Sequence, residues 1–86
     1  MNTIINKSDQ VNSLQIGVMG TVDAAPFSIK TGFLIKNDSE DPVELEVNLL
    51  GMTPGEYITT SFAPGWNPEI VREIHSGTVT NIKYGY

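Results

Sequence analysis

Between Pro42 and Leu50 the chain alternates without a break: Val43, Leu45, Val47 and Leu49 are apolar, while Glu44, Glu46 and Asn48 are polar. Side chains on a strand return to the same face every second residue, whereas those on a helix need about 3.6. The run therefore buries one face as a strand and would scatter its apolar residues around a helix. It ends at Leu50-Gly51-Met52-Thr53-Pro54-Gly55, where Gly and Pro mark a turn.

The neighbouring segments follow the same period. Phe27-Ser28-Ile29-Lys30 alternates, and Gly32-Phe33-Leu34-Ile35-Lys36 reads as a more deeply buried strand with the glycine at a bulge. The polar loop Asn37-Asp38-Ser39-Glu40-Asp41 then predicts a hairpin joining that strand to the one at 43–50. Tyr57 to Phe62 is rich in β-branched and aromatic residues, a strand closed off by Ala63-Pro64-Gly65-Trp66-Asn67-Pro68. In Ile70 to Ile74, two β-branched neighbours and a length of one turn favour a strand over a helix. His75-Ser76-Gly77 is expected to turn the chain into a last strand over 78–84, in which Val79 and Ile82 stand out of step. Upstream, Leu14, Ile16 and Val18 alternate and Thr21-Val22 is a brief extended piece, while residues 1–10 show no period.

All five prolines fall between strand candidates, and turn signals recur from residue 26 onward. The expectation is an all-β fold: a small β-sandwich, Ig-like or jelly-roll-like, over residues 11–86, with an extended N-terminal arm at 1–10.

A chain of 86 residues holds one domain with a thin core. Domains of that size often gain stability by packing on copies of themselves or on a larger body, so a homo-oligomer is expected. There is no cysteine to staple the fold or hold a metal through thiolates. The apolar fraction is 40% and the charged fraction 17%, a balance that suits a folded domain and not a charge-driven disordered one. Five Lys and Arg against ten Asp and Glu leave no basic face for a phosphate backbone, so no nucleic-acid partner is expected. The start has no apolar run of signal-peptide length and no stretch long enough for a membrane, which predicts a protein made soluble in the cytoplasm.

Candidate chemistry is sparse. The only histidine, His75, lies beside Ser76, and adjacent residues rarely build a nucleophile–base–orienter triad. Asp38, Glu40 and Asp41 offer oxygen ligands, but without the glycine and distal glutamate of a calcium loop they read as a solvated loop. Glu44 and Glu46 share a face about 7 Å apart, yet a flat strand face supplies no pocket to raise a carboxyl pKa. Gly17, Gly20, Gly32 and Gly51 make no phosphate-binding fingerprint. The chain is expected to be no enzyme, with no metal and no cofactor.

The single tryptophan, Trp66, sits in a Pro-Gly-Trp-Asn-Pro loop, where it is either a lid on the core or an anchor in a partner. Tyr84 and Tyr86 pose the same choice.

Across residues 27–86 the order of strands and turns resembles the small β-structured virion proteins of tailed bacteriophages, of the spike-base or head-decoration (auxiliary capsid) kind. Gly65, Trp66 and Pro68, then Val71, Arg72 and Ile74, then the Gly77-Thr78 turn match that family's order, while the segment after Thr78 departs from its usual Thr-Ala-rich version. The resemblance implies a structural component of a phage particle that binds capsid, spike or tail proteins and resides in the virion. The candidate partner interface is Ile4, Ile5, Trp66, Asn67, Arg72, Tyr84 and Tyr86. A carbohydrate-binding module is the alternative, with Trp66, Tyr84 or Tyr86 stacking on a sugar and the acidic loop holding calcium.

Overall fold

The computed structural model describes residues 15–86. The expected arm at 1–10, with Ile4 and Ile5, and the Leu14 end of the first alternating run lie outside the described residues.

The chain is all-β. Among the described residues there are seven strands and no helix: β1 (Met19–Thr21), β2 (Phe27–Asn37), β3 (Val43–Leu49), β4 (Ile58–Phe62), β5 (Gly65–Trp66), β6 (Val71–Gly77) and β7 (Ile82–Gly85). They form one sheet in the order β1-β7-β2-β6-β3-β4, with β5 set against β2, and every strand pair is antiparallel. The alternating run is β3: Leu45 and Val47 are buried, while Glu44 is exposed opposite Ser61 of β4.

The two apolar runs before the acidic loop are one strand, β2, bent at the expected glycine. Gly32 has φ +93°, a conformation in which L side chains are strained, and a Cβ there would come within 2.9 Å of Ile70 Cγ2. Ser28 faces Glu73 and Phe33 faces Val71, so five steps along β2 answer two along β6. This bulge redirects the strand: its first residues pair with β6, and Leu34 to Asn37 pair with β7. β2 thus belongs to both halves of the sheet.

The expected hairpin between β2 and β3 is not formed, because β6 lies between them. Neighbouring strands are about 4.8 Å apart, so the connection must bridge roughly twice that, which five residues do easily. Asn37 shapes it into an arch. Its Nδ2 donates to the carbonyls of Asp41 (2.9 Å) and Phe62 (3.0 Å), and its Oδ1 accepts from Ser39 N (2.9 Å) and Ser39 Oγ (2.6 Å).

The turn expected at His75-Ser76-Gly77 is likewise displaced, since these residues are the end of β6. Against β3, Ser76 faces Glu46 and Ile74 faces Val47, leaving His75 as an extra residue; Glu73 faces Asn48 and Val71 faces Leu49, leaving Arg72 as another. These two bulges put Val71 and Ile74, three residues apart, both at 0% exposure on the core side. The turn falls later, where Ile82 N donates to Val79 O (3.1 Å) and Asn81 has φ 64°. Val79 and Ile82 are out of step because this turn separates them.

One apolar cluster is drawn from both halves of the sheet: Val22, Phe33, Ile35, Leu45, Val47, Phe62, Val71, Ile74 and Ile82. The buried polar residues Asn37, Asn48 and Asn67 each spend their amides on loop backbone, as burial requires. Asn48 Nδ2 donates to the carbonyls of Thr53 (2.9 Å) and Glu56 (2.7 Å), which fixes the β3–β4 turn.

Candidate functional site

Trp66 stands opposite Lys36 on β2, and the loop that carries it is rigid. Asn67, 7% exposed, donates through Nδ2 to the carbonyls of Ala63 (3.0 Å) and Gly65 (3.1 Å), accepts at Oδ1 from Ala63 N (3.1 Å), and donates its backbone N–H to Ile35 O (2.9 Å). The indole is thereby laid across β7 at Gly85, where a Cβ would meet Trp66 Cη2 at 2.6 Å and Ile16 Cγ2 at 2.8 Å. Leu34 pairs with Gly85 and Ile35 with Tyr84. Because alternate residues point to opposite faces, Trp66, Lys36 and Leu34 share the face turned away from buried Ile35. Trp66 is half-buried and lies outside the core cluster, as a cover on the outer side of the sheet.

Exposed apolar residues lie on both faces of this part of the sheet: Met19, opposite Gly85, shares the face of Trp66, while Val18 and Tyr86 share the face of Tyr84. The exposed large hydrophobics among the described residues are Val18, Met19, Leu50, Ile58, Ile70 and Tyr86. Tyr86 N donates to Val18 O (2.9 Å), Met19 pairs with Gly85, and Leu50 N donates to Ile70 O (2.9 Å). Ile70 and Tyr86 line one open, largely apolar cavity of about 210 Å³ together with Gly32, Phe33, Leu34 and Gly85. These residues adjoin β1, whose second edge has no strand partner among the described residues.

Tyr84 lies on the core side, 4.9 Å from Phe27 and 6.3 Å from Phe33 between ring centroids, and Tyr86 stacks on it at 6.2 Å. The aromatic series runs from the interior to the surface. Of the residues expected at an interface, Trp66 lies over Gly85 on the outer face, Asn67 is buried, and Tyr84 and Tyr86 share the opposite, core-side face. Arg72 stands elsewhere: its Nε donates to Asn48 Oδ1 (2.8 Å) and its Nη2 to Met52 O.

A polar group on β6 had no counterpart in the spacing of the sequence. The Tyr57 ring stacks on His75 at 4.0 Å with planes 19° apart, the Tyr57 hydroxyl donates to Glu73 Oε1 (3.4 Å), and His75 Nδ1 is 3.7 Å from Glu73 Oε2. Desolvation pushes the Tyr57 phenol pKa up, and the nearby Glu73 carboxylate adds to the rise. The Ser76 hydroxyl donates to Glu46 Oε1 (3.0 Å) and not to His75. In the arch, Asp38 binds Lys83 and Lys36, the latter at 3.2 Å, and these two ammonium groups, Lys83 foremost, hold its carboxyl below the usual range.

No protein-family model matches this chain, and no curated protein or solved structure is significantly similar to it.

Proposed function

We propose that this chain is a non-enzymatic structural domain that binds protein, in the first place a second copy of itself, through the exposed apolar residues beside β1 and the edge of β1 that has no partner among the described residues. The observation that carries the reading is the exposure of these apolar side chains: Val18, Met19, Ile70, Tyr86 and Leu50 are each 38 to 51% exposed on an otherwise acidic chain, and Ile70 and Tyr86 line one apolar cavity. Monomeric proteins rarely leave a wide apolar patch open. A two-fold axis beside β1 would pair the strand with its own copy and cover the apolar residues beside it in both copies at once.

The narrower form of the proposal is a virion protein of a tailed bacteriophage, a decoration or auxiliary component that contacts capsid, spike or tail proteins; its support is the resemblance over residues 27–86. We also infer that the sheet closes as a small β-sandwich, because β2 serves both halves and one core is shared between them. In this reading the arm at 1–10, with Ile4 and Ile5, reaches onto the neighbour.

Light scattering across a concentration series tests the proposal. The wild-type chain is expected to give the mass of a dimer or closed ring, and Ile70→Lys and Met19→Lys, both at exposed positions, are expected to give a monomer. A wild-type monomer at every concentration removes self-association. In purified particles, a copy number set by capsid or tail symmetry supports the virion role, and absence from particles removes it.

The second reading is a carbohydrate-binding module. Its support lies neither in Tyr84, whose ring is occupied by Phe27 and Phe33, nor in Asp38, which two lysines neutralise. It lies in a separate polar recess.

A further inference from the structure

The described residues contain four Lys and Arg side chains: Lys30, Lys36, Arg72 and Lys83. Lys36 and Lys83 both end on Asp38. The other two, Lys30 and Arg72, line the same open cavity of about 380 Å³, with Ser28, Asn48, Pro54 and Glu73. Neither forms an ion pair among the described residues. In a chain of net charge −5, two cations that line one recess and pair with no carboxylate among the described residues mark a place for an anion.

Arg72 is held ready for one. Its bonds to Asn48 Oδ1 and Met52 O use two of the five guanidinium N–H groups and fix the plane of the fork, leaving three donors. The loss of rotamer freedom is thus met on folding and not on binding. Asn48, by contrast, is spent, since its oxygen serves Arg72 and its amide serves Thr53 and Glu56.

Glu73 decides which anion. Its carboxylate lines the recess while also meeting the Tyr57 hydroxyl and His75. A phosphate dianion would feel that carboxylate as repulsion. A single carboxylate carried on a hydroxylated ring would feel less of it: the charged group meets Arg72 and Lys30, and ring hydroxyls donate to Glu73 and share hydrogen bonds with Ser28. Pro54 offers an apolar wall to the C–H face of such a ring. The cavity lies at the small end of the range for ligand pockets, on the scale of one sugar unit.

We propose that this recess binds a sugar acid, a uronic-acid unit recognised through Lys30, Arg72 and Glu73. The proposal deepens the carbohydrate reading. It is independent of self-association, because the recess shares no lining residue with the cavity beside Tyr86.

The test is an NMR titration of the full chain with glucuronate, glucose and inorganic phosphate at low salt. Glucuronate is expected to give saturable shifts at Lys30, Arg72 and Glu73 with a dissociation constant on the order of 1 mM, and glucose and phosphate to bind at least about tenfold more weakly. Lys30→Gln, at an exposed position, is expected to weaken glucuronate about tenfold with the remaining spectrum unchanged. Arg72→Lys, which keeps the charge and loses the fork, should also weaken it. Absence of saturable glucuronate shifts overturns the proposal, as does equal binding of glucose or tighter binding of phosphate. An unaltered affinity in Lys30→Gln overturns the assignment to this recess. Loss of glucuronate binding with the oligomer intact would leave the structural reading standing.

Discussion

Trp66 covers Gly85 so closely that a methyl group at position 85 would lie 2.6 Å from the indole Cη2. Gly85→Ala is therefore expected to lift the ring from β7. As Trp66 is the only tryptophan, its fluorescence reports the event directly: a red shift on substitution, with a loss of about 1–3 kcal/mol from overpacking. An unchanged emission maximum would mean that the indole is not seated there.

Asn48 is the next sensitive point. Asn48→Ala leaves the carbonyls of Thr53 and Glu56 and the Nε of Arg72 without their partner, at a cost of about 2–4 kcal/mol in urea unfolding. Faster amide exchange over residues 50–57 should accompany it.

The edge strand β4 offers an internal contrast. Phe62 is 0% exposed and Ile58 49%. Phe62→Ala is expected to cost about 3–5 kcal/mol, a large share of the stability of so small a domain, and Ile58→Thr to stay within about 0.5 kcal/mol. Equal effects on the urea midpoint would show that the two do not differ in burial.

Asp38 gives a pH dependence whose sign follows from its bonds to Lys83 and Lys36. Because the folded state lowers its pKa, the folded state binds fewer protons at this group than the unfolded chain does. The stabilisation is complete above the ordinary aspartate value of about 3.9 and is lost as the pH falls through the depressed folded value. Thermal melts of Asp38→Asn and wild type should thus differ at pH 6, and the difference should close below that range. It should also shrink with added salt, since the group is exposed.

How much of this could be read beforehand depended on whether a strand kept its period. β3 keeps it in sequence across seven residues and was legible to within one residue, although Asn48 on its polar side is buried, and the bend in β2 was announced by Gly32. β6 breaks it twice, at Arg72 and His75, so the spacing of Val71 and Ile74 hid the strand's true end. Pairing was less legible still. A polar loop between two alternating runs has the same composition whether it closes a hairpin or arches over a third strand, and only the pairing of β6 with both β2 and β3 places it in the gap. At the proposed interface, the aromatic residues Trp66, Tyr84 and Tyr86 stood out by type alone. The linking of Val18 to Tyr86 and of Leu50 to Ile70 depends on contacts distant in sequence, and the Tyr57, His75 and Glu73 group depends on a bulge.

The insertion of β6 between β2 and β3 also orders events during synthesis. The β3–β4 hairpin joins neighbours and can form early, but β2 has no partner among the strands made just before or after it. Both of its flanking strands, β6 and β7, leave the ribosome last. Until they do, the longest strand of the domain waits with its apolar face open, so a nascent chain paused before residue 71 is the form most in need of a chaperone.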